Sequence, residues 1–335
     1  MGLVAFLKRH PVACLLLLTP GIPEYLSGSS PLDAIAFSPV TFLFQLAANL
    51  ALYGPGVLLI REARVRWNKG GATVLLLGAA YGILEEGVAL STLFNPAAGP
   101  VGALGQYGHF AGVSWIWVAE ILPVHMIYSI AVPILLLDLA LPSTAGRGFL
   151  GGRKLAVAIG VLAADVASLF LLILFGVKFW MGTPVLLGSL AAIGALAYAG
   201  WRAGPARIRP SSPAPSSGPA TFLVVGAVFY PSVLILSSVL EGLRVPAAAT
   251  LAAVVLLQAG WLKLVVSRIG SSGSQRNLIA LSAGLILPIV TIGIASQAVL
   301  PLPAAALAAG LWFFRKLWMR YPPVPARQAA PAVEA

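Results

Sequence analysis

The chain has 335 residues, of which 59% are hydrophobic and only 9% charged, against about 25% charged in typical soluble domains. Its 21 basic and 10 acidic side chains cannot clothe a soluble fold of this length, so the composition excludes one and points to a single membrane domain over residues 1–335. The net charge of +11 lies in short segments between apolar runs, where topology selection and anionic headgroups account for it without a nucleic-acid partner.

A membrane-crossing helix needs roughly 20 mostly apolar residues. In chain order the sequence predicts such segments at 11–26, 36–60, 71–93, 113–138, 155–176, 183–201, 221–242, 246–267, 277–299 and 301–318. The first contains Pro11, Pro20 and Pro23. Its start at Lys8 and Arg9 is basic, but no convincing small-residue cleavage site follows, so it reads as a retained, kinked or partly re-entrant helix rather than a signal peptide. The last segment acquires Arg315 and Lys316 before it ends.

Placing the N-terminus inside puts the basic groups Arg61 to Lys69, Arg147 to Lys154, Arg202 to Arg209, Lys263 to Arg276 and Arg315 to Arg327 on one side. Of the 21 basic residues only Lys178 and Arg244 fall in outward segments, as the positive-inside rule requires. The predicted fold is therefore an all-α polytopic transmembrane bundle of about ten spans. It would lie in the cell membrane, with the lipid bilayer as partner and both termini cytoplasmic.

The outward loop 94–112 is Gly-rich and carries His109. The inward loop 202–220 is Pro/Ser-rich and reads as a linker between halves 1–201 and 221–335. Five spans in each half would give the halves opposite orientation, the arrangement of inverted-repeat transporters. Ala191, Ala195 and Ala199, four residues apart, suit close helix packing.

Ionisable residues inside spans are expensive and so become functional candidates. They are Glu85 and Glu86 in the third segment, Glu120 and His125 in the fourth, and Asp165 in the fifth, with Asp138 and Glu241 at segment ends within reach of the interface. Span direction puts Glu85, Glu86, Glu120 and His125 at a similar depth, and consecutive antiparallel spans are neighbours. A shared pocket of three carboxylates and an imidazole is expected, in which protons are shared or a cation is bound. Adjacent residues stand about 100° apart on an α-helix, so only one of Glu85 and Glu86 is expected to point straight at the fourth segment. Asp165 would add a polar contact to the same site. Trp115 and Trp117, with Tyr107 and Phe110 before them, read as an interfacial aromatic belt.

Cys14 is the only cysteine, which excludes an intrachain disulfide and a thiolate metal cluster. No GxxxxGK[ST] run occurs, so no nucleotide cofactor is expected. There is no HExxH, and three histidines in all leave no basis for a three-histidine zinc site. Ser114 and Ser129 flank the fourth segment without a nucleophile motif. A divalent metal, if held, would fall to Glu86, Glu120 and His125.

The run AAYGILEEGVAL, followed by His125 in the next span, resembles the CAAX-protease and bacteriocin-processing (CPBP) family of intramembrane enzymes over roughly residues 78–130. Those proteins carry paired glutamates in an EExxxR motif and histidines on later helices. The resemblance implies that Glu85 and Glu86 correspond to the paired glutamates and His125 to a later histidine, with a glutamate activating water for peptide hydrolysis. The chain departs from the motif at Leu90, where the family has Arg, and at Ile121, where it has Phe. Ser129 follows His125 where an Asn or Asp would be sought. The longer string EEG, FNP, YG, GVSWIWVAE, His125 and SIAVPILLLDL is similar to a set of prokaryotic multi-spanning membrane proteins without a defined activity.

Three functions stay open at this level. A membrane-embedded hydrolase acting on a membrane peptide would use Glu85 or Glu86 as general base, His125 to orient water or steady the oxyanion, and Glu120 to hold a proton or metal. An ion- or proton-coupled transporter would use the same carboxylates to bind a small ion or solute. A non-catalytic scaffold would fit the few polar residues of the second half.

Overall fold

A computed structural model describes residues 9–30, 32, 34–205, 217–272, 274–296 and 301–322. Most of the predicted linker (206–216) and the ends of the chain (1–8 and 323–335) lie outside the described residues, as do the last three positions of the predicted segment 277–299.

Apolar runs in lipid must satisfy their backbone polar groups internally, and helices do so. The described helices follow the runs. They are α1 (Pro11–Pro20, continued by a π-helical segment Gly21–Tyr25), α2 (Pro39–Arg66), α3 (Gly71–Ala89), α4 (Trp115–Ala140) and α5 (Gly152–Val177). After them come α6 (Thr183–Arg202), α7 (Pro219–Gly242), α8 (Ala247–Ser272), α9 (Gln275–Ser296) and α10 (Pro301–Arg320).

Eight of these, α2 to α9, are long and apolar enough to cross a membrane. The two end segments are not among them. The 10 α-helical and 5 π-helical residues of α1 reach roughly 22 Å at 1.5 Å per residue, short of roughly 30 Å of hydrocarbon. α10 ends in the charges Arg315, Lys316 and Arg320.

Burial separates the inside of the bundle from its lipid-facing rim. The most apolar stretches of α3 and α4 are each 67% buried, whereas those of α5 and α6 are 6% and 11% buried. α3 and α4 therefore form the centre, and α5 and α6 turn apolar side chains outward. Close approach of the central pair follows from Gly78 and Gly82, four residues apart. A Cβ on Gly78 would lie 3.0 Å from the Met126 Cα, and one on Gly82 3.1 Å from the His125 Cβ. This small-xxx-small spacing lets two backbones meet. α7 and α9 cross in the same way: a Cβ on Gly284 would overlap the Leu223 carbonyl, and one on Gly226 the Leu281 carbonyl.

Two connections are ordered by their own chemistry. Between α3 and α4, His109–Phe110 and Val113–Ser114 form an antiparallel hairpin. Its turn residues Ala111 and Gly112 both have positive φ (52° and 78°), as a tight hairpin turn demands. Between α4 and α5, the loop is clamped to the end of α2. The Arg61 guanidinium donates to the carbonyls of Thr144 and, at 3.0 Å, Arg147, and lies 3.6 Å from the Phe149 ring centroid. Arg64 pairs with Asp138 at 2.7 Å. Glu62 accepts the Phe149 N–H at 2.9 Å and pairs with Arg66 at 2.8 Å.

Candidate functional site

Three π-helical segments surround one spot: Gly21–Tyr25 at the end of α1, Ile83–Ala89 in α3 and Val124–Ala131 in α4. They carry Glu24, Glu85 with Glu86, and His125 in that order. A π turn bonds i to i+5, is disfavoured as regular structure and is found mostly where function demands it. Pro20 and Pro23 flank or enter the first segment and Pro123 precedes the third. Each proline removes a ladder donor. The second has no proline and is bordered by Gly82 with Gly87 inside it.

On a regular helix Glu85 and Glu86 diverge by about 100°, which points only one of them straight at α4. In the π segment both reach His125, from opposite edges of its ring. Nε2 is 2.9 Å from Glu86 Oε1, and Nδ1 is 3.0 Å from Glu85 Oε2. Glu85 and His125 are each only 2% exposed. Tyr53 of α2 stacks on the imidazole (6.2 Å, 15°), and Tyr81 meets it edge-on (6.3 Å, 61°).

The two glutamates differ in their remaining contacts. Glu86 Oε2 accepts the Thr92 hydroxyl, and the Thr92 oxygen in turn accepts the Trp117 indole N–H at 3.3 Å. Glu86 is thus held at both oxygens. Glu85 Oε2 is buried without an aligned hydrogen bond, and so is the Tyr81 hydroxyl that faces this carboxylate. Ser129 Oγ is 3.4 Å from His125 Nδ1. A neutral imidazole has one N–H and cannot donate towards both glutamates. The three side chains must therefore hold a second shared proton or a cation.

Glu120 is not part of this group. Five residues from His125 on α4, it faces another direction and accepts the Ser237 hydroxyl of α7 in a buried contact. Asp165 of α5 is half-buried, lies within electrostatic reach of Glu85 and Tyr81, and has a buried Oδ2 without an aligned partner. Among the belt residues, Phe110 is 76% exposed while Trp117 turns inward to Thr92. Tyr107 ties the loop 94–112 to the second half through the Val245 carbonyl and Thr250 Oγ1, both at 2.7 Å.

Glu24 is the residue that sequence reasoning missed. Its carboxylate accepts the Tyr53 hydroxyl at 2.7 Å and the Ser30 hydroxyl at 3.0 Å, and it lies within electrostatic reach of Glu85 and His125. Gln45 and Asn49 donate to Ser30 at 2.9 and 3.2 Å. Gln45, Asn49 and Tyr53 recur every four residues, one polar stripe on a helix face. That spacing, and a carboxylate inside the first apolar run, were the available signals.

For a divalent cation the set that fits is Glu85, Glu86 and His125. One ligand atom from each lies within 4.8 Å of the others, and an imidazole with two carboxylates is a donor set that zinc or manganese accepts. Glu120, expected in that set, lies outside it. No protein-family model, no curated protein and no solved structure matches the chain.

Proposed function

We propose that the protein is a membrane-embedded hydrolase that cleaves an amide bond of a membrane peptide, with Glu85, Glu86 and His125 as its catalytic residues. The observation that carries this reading is the buried meeting of Glu85 and Glu86 with the two ring nitrogens of His125, with the Tyr81 hydroxyl facing Glu85. Glu86, held by Thr92, orients the imidazole. Glu85 keeps a lone pair free to take a proton from water. The hydroxide attacks the carbonyl carbon, the Tyr81 hydroxyl donates to the oxyanion, and His125 passes a proton to the leaving nitrogen as the C–N bond breaks. The proton on Glu85 then replaces the one His125 gave up. A cation held by Glu85, Glu86 and His125 would polarise the attacking water.

The named site residues all come from α1 to α5 and the segment after α3. A transporter built from two opposed halves would be expected to place its site between them, so this location favours the enzyme. The CPBP resemblance points the same way. We further infer that α2 to α9 cross the cell membrane, with the basic segments between α2 and α3, α4 and α5, α6 and α7, and α8 and α9 on its cytoplasmic side. The alternation of basic segments supports this, as does the clamp that seats Arg61, Arg64 and Arg66 on the Arg147 loop.

The test is a comparison of new peptide termini in membranes from cells making the wild type or Glu85→Gln. Termini that appear only with the wild type are expected. Identical termini in the two membranes would overturn the reading.

A further inference from the structure

A groove of about 680 Å³ opens where α7, α9 and α10 meet. It is far from the Glu/His site in composition as well as in the helices that build it. Its wall is apolar along Leu223, Ile279 and Phe314, and its rim carries Arg276, Arg315 and Trp318. Arg276 is set in place: its Nε donates to the Tyr321 carbonyl at 2.5 Å, and its guanidinium lies 4.4 Å from the Trp318 ring centroid. A guanidinium held in plane is suited to an oxyanion.

The two parts of the groove ask for different chemistry. Two arginines attract an anion, and a free phosphate would leave the apolar wall unused. A fatty chain alone would leave the arginines unused. Arg268 bonds Ser217 near the start of α7, and Lys316 and Arg320 follow Arg315, so this end of the bundle carries a local excess of positive charge. Basic clefts between membrane helices at the headgroup level bind anionic lipids.

We infer that this groove is a specific site for an anionic phospholipid. Its phosphodiester lies between Arg276 and Arg315, and an acyl chain lies along Leu223 and Ile279. The charge complementarity selects the headgroup, and the open apolar wall accepts the chain directly from the bilayer. The second half, which among the described residues adds no ionisable group to the Glu/His site, acquires a role in lipid recognition.

Native mass spectrometry of the full-length protein with phosphatidylglycerol or phosphatidylcholine tests this. One phosphatidylglycerol is expected to remain bound to the wild type. Its affinity is expected to fall about thirty-fold in Arg276→Gln/Arg315→Gln and to weaken at high salt. Leu223→Trp, which narrows the apolar wall without touching a charge, is expected to weaken binding too. This second variant decides the matter if the arginine pair proves necessary for folding. A hundredfold excess of inorganic phosphate should not displace the lipid. Equal retention of phosphatidylcholine, displacement by phosphate, or unchanged binding in both variants would overturn the site.

Discussion

His125→Ala is expected to destabilise the protein by about 3–5 kcal/mol, more than Gln at either partner glutamate, because it strips the shared partner from two buried carboxylates. Glu85 and Glu86 both contact the ring, at 3.0 and 2.9 Å, and each is under 10% exposed. Without the imidazole they face each other in a low-dielectric interior, where the penalty exceeds that of a lost neutral hydrogen bond. The penalty should shrink when Glu85→Gln and Glu86→Gln are added, since the charges that need the imidazole are then gone. A thermodynamic cycle measured by unfolding in detergent reads this coupling directly. Additive losses across the cycle would mean that the three side chains do not act as one unit. Hydrolysis is expected to slow at least about a hundredfold in every member of the series, so stability and activity separate in the triple variant.

Arg61→Leu is expected to cost a comparable amount, about 3–5 kcal/mol, without touching the Glu/His site. Arg61 is fully buried at 0% exposure. Its fork serves the Thr144 and Arg147 carbonyls and its plane covers Phe149. Leucine would strand both carbonyls and leave Asp138, 3.9 Å away, with Arg64 as its remaining partner. Arg61→Lys should recover only part of the loss, because an ammonium cannot bridge two carbonyls in a fixed plane. Protease accessibility of the loop around Gly146 to Gly151 follows the clamp: it should rise sharply in Arg61→Leu and less in Arg61→Lys. An unchanged loop in Arg61→Leu would show that the clamp does not hold it.

Much of the helical layout was legible because lipid imposes one rule on every apolar run. The runs 71–93 and 183–201 became Gly71–Ala89 and Thr183–Arg202. The ends are where the rule weakened: three prolines in 11–26 leave α1 short, and Arg315 and Lys316 keep α10 from qualifying. The meeting of Glu85, Glu86 and His125 was readable from depth and chain order. That both glutamates reach one ring was not, because adjacent helical positions diverge by about 100° and a π turn leaves no mark in composition. The same angular argument removes Glu120, which shares the depth of His125 but faces α7. Glu24 was hidden differently: it sits in a run judged by its prolines, and its partner Tyr53 completes a stripe whose four-residue spacing was in plain view. Gly78 and Gly82, which let α4 approach α3, carried a small-xxx-small signal of the same kind.

If Glu85, Glu86 and His125 hydrolyse an amide bond within the membrane, the purified protein must do so unaided. The direct measurement uses purified protein in vesicles with a library of apolar peptides in oxygen-18 water, read by mass spectrometry of the products. The expected result is cleavage that places one solvent oxygen in each new carboxylate and slows at least about a hundredfold in Glu85→Gln. Cleavage at the same rate in Glu85→Gln, or none by folded wild-type protein across the library, would contradict it.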